Sequence, residues 1–262
     1  MTRLIDRLRR YLKQRAERRR LRRKQRKRFA RWLADNPGGS YGQFYAADAR
    51  RRIDAGDAHA TLGVASVDRA AATARAQRIL ENFKAAGCRP EHVVVDYGCG
   101  SLWIGEAFMN YLQPGNYVGL DVSDTFYAEG LARLSVEFVA QRRPSVCVID
   151  DATLRDVRAR KPDFIFSIAV LQHVPPDDLP GFFRSVVSLA TSHSRIEITH
   201  WPRFRTAWMP PRSWRHSRHA IRAALAPLGY AADYQPENRI LPTMPGFGVV
   251  CREGSMPRVT VG

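Results

Sequence analysis

Residues 92–121 read HVVVDYGCGSLWIGEAFMNYLQPGNYVGLD. The apolar run Val93-Val94-Val95 is too short for a helix and the right length for a strand buried on both faces. It ends at Asp96. Tyr97-Gly98-Cys99-Gly100 then places glycines at alternate positions, where positive φ and close approach of a ligand to the backbone are both permitted. From Ser101 the spacing turns helical, with Leu102, Phe108, Tyr111 and Leu112 able to share a face, until Pro114-Gly115 stops it. Tyr117-Val118-Gly119-Leu120 is a second strand, ending in Asp121. Strand, glycine turn, helix, strand, acid is the order that seats a nucleoside at the carboxyl edge of a parallel sheet. Asp121 follows Gly100 by 21 residues, where a carboxylate can accept two hydrogen bonds from ribose hydroxyls. A dinucleotide turn starting at Gly98 would need its last glycine where the chain has Trp103, which argues against a nicotinamide cofactor.

Working outward, the alternation of strand and helix continues. Upstream, Ser66 caps a helix to about Ala86, with Ile79, Leu80 and Phe83 inside and Gly87 ending it. Downstream, Ser123 or Asp124 caps a helix through about Ala140, and residues 145–149 are a third strand followed by Asp150-Asp151-Ala152. Residues 163–170, DFIFSIAV, are a fourth strand, trailed by LQHVPPDDL at 171–179. A helix over 176–190 buries Leu179, Phe182, Phe183, Val186 and Val187, with Asp177 and Asp178 as capping acids. A fifth strand, Arg195 to Thr199, ends at His200-Trp201. Ser213 starts a helix through Leu228, and late strands near 231–234 and 247–252 form an antiparallel edge. This alternation predicts an α/β fold, a sheet covered by helices on both faces.

The opening stretch resembles motifs I and II of the class I S-adenosylmethionine-dependent methyltransferases. Their first motif is Asp-x-Gly-x-Gly-x-Gly; Asp96, Gly98 and Gly100 match it, and Leu102 stands at the third glycine. Asp150-Asp151-Ala152 is similar to motif III, and residues 163–173 to motif IV with its Leu-Gln-His turn. The resemblance spans about residues 66–253. It implies a Rossmann-like, seven-stranded, mostly parallel sheet, S-adenosylmethionine as cofactor, and methyl transfer as the activity. It also implies cofactor contacts from Asp96, Gly98, Cys99, Gly100, Asp121, Asp151 and Ala152. Asp151 would meet the adenine amino group, with Asp150 as the alternate. Leu102-Trp103, replacing small residues, implies a tighter and more apolar floor under the methionine end.

Four cysteines without paired spacing point to a reducing, cytoplasmic compartment, and no apolar run is long enough to span a bilayer. The net charge is +17, and residues 1–35 supply most of it: 16 Lys/Arg against Asp6, Glu17 and Asp35, or +13, leaving +4 for residues 36–262. Residues 1–38 are a basic amphipathic helical extension with Leu4, Ile5, Leu8, Tyr11 and Leu12 on a stripe. That pattern fits in-plane attachment to an anionic membrane, non-specific contact with RNA phosphates, an organelle transit peptide, or a solvated tail. Residues 39–65 are a linker, whose Tyr41, Phe44 and Tyr45 either form a lid over the cofactor, as in the resembling family, or pack the extension onto the domain. Residues 254–262 are a C-terminal tail.

Methyl transfer from a sulfonium is an in-line displacement, in which positioning supplies most of the catalysis. Hydroxyl acceptors need a general base, and His173 and His200, at the ends of the fourth and fifth strands, suit that role. His173 has a purely structural reading too, as part of the loop. No cluster of acids or histidines reads as a metal site. The acceptor is expected to be a small molecule or glycan, with a sugar or lipid-linked hydroxyl near a membrane set against RNA held by the basic arm; a non-catalytic cofactor-binding module is the third alternative, against which Asp96, Gly98, Gly100 and Asp121 speak. Ser167-Ile168-Ala169-Val170 stands where enzymes methylating base amines carry an asparagine-proline-proline-aromatic run.

Overall fold

The computed structural model describes residues 2–55, 68–199, 204–209, 213–234 and 247–252. Helices α1 (Thr2–Asp35) and α2 (Tyr41–Asp54) precede α3 (Arg69–Ala85), which enters the sheet through β1 (Val94–Tyr97). Then come α4 (Trp103–Tyr111), β2 (Tyr117–Asp121), α5 (Asp124–Arg133), α6 (Val136–Arg142), β3 (Ser145–Val148), α7 (Asp151–Ala159), β4 (Phe164–Ser167), α8 (Leu179–Ser188) and β5 (Arg195–Thr199). A short hairpin, β6 (Ala207–Met209) and β7 (Ser213–Arg215), leads to α9 (Arg218–Leu225), β8 (Tyr230–Asp233) and β9 (Phe247–Arg252).

The central sheet runs β3-β2-β1-β4-β5-β9-β8. Its first five strands are parallel, and β9 pairs antiparallel with both β5 and β8, so five parallel strands plus an antiparallel edge pair make seven. The strand order reverses between β1 and β4, and in such sheets the crevice outside the strand ends at that switch point is where ligands bind. Each of β1, β2 and β4 is buried along its whole length, because helices cover both faces. The period-2 alternation of β1 sorts its side chains: Val95 and Tyr97 join one core with Leu120, Ile165 and Phe183, while Val94 faces the other with Phe83, Phe108 and Phe166.

A third, smaller core lies at the amino end: Tyr41, Phe44, Tyr45, Ala49 and Phe126, covered by Phe29 and Trp32. Ser40 makes a capping box with Gln43 that starts α2. Gly39 lets the chain fold back tightly, since a Cβ there would lie 2.5 Å from the Trp32 ring. Residues 41–54, read as linker or lid, are thus helical and packed between α1 and α5.

Three helix boundaries differ from expectation. The helix expected from Ser66 starts at Arg69 under an Asp68 cap, and Ser66 lies outside the described residues. The helix expected through Ala140 is two helices, broken where Ser135 caps the second. Residues 213–215 are strand, not helix: Trp214 pairs across the hairpin with Trp208, aromatic pairing that favours strand. The helix begins only at Arg218, capped by Ser217.

Candidate functional site

A cavity of about 750 Å³ opens at the carboxyl ends of the parallel strands. Its floor is the turn from Tyr97 to Ser101, with Trp103 and Ile104 of α4. The turn is tied to β2, since the amides of Gly98 and Cys99 both donate to the Leu120 carbonyl, at 2.6 and 3.0 Å. Gly98 has φ +89°, and a Cβ there would sit 2.3 Å from Val170. Any side chain would therefore push the turn away from the segment after β4.

Asp121 ends β2 with its carboxylate in the cavity wall. Oδ2 accepts from the Gly100 amide and Oδ1 from the Val122 amide, both at 2.8 Å. Burial raises its pKa to about 6, with the two amides pulling the other way. A carboxylate has about four lone-pair sites, and two N–H donors leave acceptors for a pair of vicinal hydroxyls.

Gly98, Cys99, Gly100, Asp121 and His173 thus line the same cavity. Asp96, Asp151 and Ala152 do not. Asp96 points into the core on the α4 side, where it accepts a 3.0 Å hydrogen bond from the Tyr117 hydroxyl. Desolvation raises its pKa to about 8, against the lowering effect of that bond. Asp150 turns back to cap α7 through the Thr153 amide at 2.7 Å, leaving Asp151 and Ala152 exposed on its first turn. Ile149 takes their place in the wall. His200 lies outside the described residues.

Leu102 is not part of the floor. It is fully buried at φ +60°, and the close approach expected of a third glycine is supplied by the facing helix. A Cβ on Gly130 of α5 would lie 2.4 Å from the Ser101 carbonyl oxygen and 3.1 Å from Leu102 Cβ. Trp103 alone of the pair reaches the cavity, held under the Arg133 guanidinium 3.8 Å from its ring centroid.

The far wall is the short turn Leu171–His173. His173 Nδ1 is 3.2 Å from the Tyr45 hydroxyl, and the two rings stack at 5.2 Å. Its Nε2 is 3.2 Å from the Gln172 amide nitrogen. With that amide donating, Nε2 is the unprotonated nitrogen and Nδ1–H donates to Tyr45. The turn is braced from behind by His216, which the sequence did not single out; its Nε2 lies 3.2 Å from the Leu171 carbonyl and 3.0 Å from that of Val174.

Asp177 and Asp178, expected as helix caps, instead face the cavity. Asp178 occupies the cap position of α8 without making the cap bond, and its pKa is raised by burial and then by Asp177. Arg75 of α3 also lines the wall, its pKa lowered by burial and by Arg78. One signal for it lay in the sequence: Arg75 falls between Ala72 and Ala76, on the face that α3 turns inward. Among the described residues, no group of His, Cys, Asp and Glu is placed to hold a metal ion.

No protein-family model matches the chain, and no curated protein matches it by sequence. Solved structures do. Magnesium protoporphyrin IX methyltransferase from Synechocystis PCC 6803, with bound S-adenosylmethionine, superposes with a TM-score of 0.54 at 16% identity, covering 83% of this chain and 100% of that one. Human N-acetylserotonin methyltransferase, also with S-adenosylmethionine, gives 0.50 at 12% identity over 80% of this chain and 57% of that one. With its five parallel strands, antiparallel edge pair and glycine turn at the switch point, the chain has the class I S-adenosylmethionine-dependent methyltransferase fold.

Proposed function

We propose that the protein is an S-adenosylmethionine-dependent methyltransferase acting on the hydroxyl of a small acceptor. The observation that carries this reading is Asp121, a buried carboxylate that is held by two backbone amides beside a glycine turn and keeps acceptor capacity for a ribose diol. The cavity is of ligand size, in the upper part of the range, with room for a nucleoside and a second small molecule. When bound, S-adenosylmethionine supplies a methyl group already activated on a sulfonium.

The chain's own residues have four tasks. Asp121 takes the ribose hydroxyls, and the Gly98–Gly100 backbone allows close approach. Arg75 offers a cation for a carboxylate. Tyr45 holds His173 Nδ1–H, and Nε2 can take the acceptor's hydroxyl proton once that hydroxyl displaces the Gln172 amide from it. α2 closes the site above with Ser40, Gly42 and Tyr45, which helps to exclude water. A roofed cavity favours a small acceptor over a base within a polynucleotide. A second reading, transfer to an amine, is favoured by Asp177 and Asp178, two carboxylates that would attract a cationic acceptor.

Calorimetry with S-adenosylmethionine tests the assignment. Asp121→Ala should weaken binding by roughly tenfold or more, the loss of one charge-assisted contact. Unchanged affinity would remove the cofactor site from this wall. Mass spectrometry of cell extracts incubated with the isotopically labelled cofactor then distinguishes a methylated hydroxyl from a methylated amine.

A further inference from the structure

α1 has two faces of different chemistry. One is committed to the domain: Gln25 donates to the Tyr41 hydroxyl at 3.3 Å, Arg28 pairs with the buried Asp48, and Phe29 and Trp32 pack on Tyr41 and Phe44. The other face is free of these contacts. At about 100° per residue, Leu4, Ile5, Leu8 and Leu12 fall within the same arc of about 140° as Arg19, Arg22, Arg23, Arg26 and Lys27. The acids of the helix, Asp6, Glu17 and Asp35, all fall outside that arc. The five cations are exposed, and with Ala30 they line a groove of about 530 Å³. Leu12 is 51% exposed.

We propose that this outward face binds an anionic lipid surface, with α1 lying in the membrane plane. Its first turns would insert leucine and isoleucine among the acyl chains while the arginine stripe meets the headgroups. Two observations choose a membrane over RNA. A grip on phosphates needs cations alone, whereas here an apolar stripe continues the cationic one in helical register, the pattern of an in-plane amphipathic anchor. Moreover, the cations facing away from the domain share their face with no acid, as attraction to a uniformly negative surface requires. Among the described residues, no helix is long and apolar enough to cross a membrane. The inference does not depend on the methyl-transfer reading.

Truncation at Ser40 is a poor test, because removing α1 would bare Tyr41 and Phe44. The full chain should instead be co-sedimented with vesicles of phosphatidylcholine alone and of phosphatidylcholine mixed with phosphatidylserine. Binding is expected only to the mixed vesicles. Changing Arg19, Arg22, Arg23, Arg26 and Lys27 together to Gln should weaken it by at least about a hundredfold. Leu8→Gln with Leu12→Gln should weaken it comparably while leaving retention on polyuridylate unchanged. Thermal unfolding followed by circular dichroism on the same samples shows whether each variant keeps its fold, and S-adenosylmethionine calorimetry reads the cofactor site separately. Equal binding to both vesicle types, or to neither, overturns the proposal. So does retention on polyuridylate without retention on vesicles, or vesicle binding indifferent to the leucine substitutions.

Discussion

At the scale of single residues, Leu102 shows two effects of opposite sign at one position. A non-glycine residue in the left-handed region costs roughly 1 kcal/mol, and glycine is what the resembling family carries there. Yet the Leu102 side chain is fully buried, in one core with Phe108, Met109 and Leu112. Truncating a buried leucine costs about 2–5 kcal/mol. Burial wins, so Leu102→Gly, although it restores the family motif, should destabilise the protein by about 1–4 kcal/mol, measured by urea unfolding. A gain in stability would mean that the strain at φ +60° outweighs the packing. The same position shows why resemblance alone misplaced the floor. What lets Leu102 fit is Gly130, 28 positions on, and no motif at the turn contains it. Asp96 is a parallel case: its identity matched the motif, but its direction is set by Tyr117, whose ring packs beneath Gly105 of α4.

At the scale of elements, the helical hairpin α1–α2 is the least regular part of the design, and it rests on few contacts. Trp32 meets Phe44 at 5.9 Å between ring centroids and fills the space that Gly39 leaves empty. Trp32→Ala should therefore loosen α1 without disturbing the sheet. Hydrogen exchange is expected to rise over residues 20–35 and to stay unchanged in β1, β2 and β4; uniform acceleration would mean that α1 is integral to the domain's cooperative unit. The central elements were legible in sequence for the reason that makes them rigid. The runs 94–95, 117–120 and 164–167 are buried on both faces, so local hydrophobicity and final environment agree. Where pairing is non-local, that reading failed. Ser213 looks like a helix cap until Trp214 finds Trp208, and Asp177-Asp178 look like caps until the cavity forms in front of them. From sequence, Tyr41, Phe44 and Tyr45 fit either a lid or packing of the extension onto the domain. Tyr41 and Phe44 pack under α1, while Tyr45 stacks on His173 beside the cavity.

At the scale of the whole molecule, buried acids set the response to pH. Burial raises Asp96 to about 8 and Glu197 to about 7; the Arg195 guanidinium, 2.6 Å from Glu197, offsets part of the latter shift. A carboxyl whose folded pKa lies above its unfolded value binds its proton more tightly in the folded state. Its effect is to lower stability progressively as pH rises from about 4 to the folded pKa. His216 acts in the opposite sense, because burial lowers its pKa and stability is lost as pH falls below about 6.5. Above pH 6.5 the histidine no longer contributes, so the acids alone decide the sign. Between pH 6.5 and 8.5 Asp96 should remove about 2 kcal/mol and Glu197 less than about 1. For a chain of this size, 2 kcal/mol corresponds to a fall in melting temperature of about 4–8 °C. Asp96→Asn keeps the shape and an acceptor for Tyr117 but cannot ionise. Its melting temperature should fall much less over the same interval, so that variant and parent diverge as the pH is raised. Parallel curves across that interval would mean that Asp96 is already ionised at pH 6.5, and that the Tyr117 hydroxyl stabilises a buried charge rather than a neutral acid.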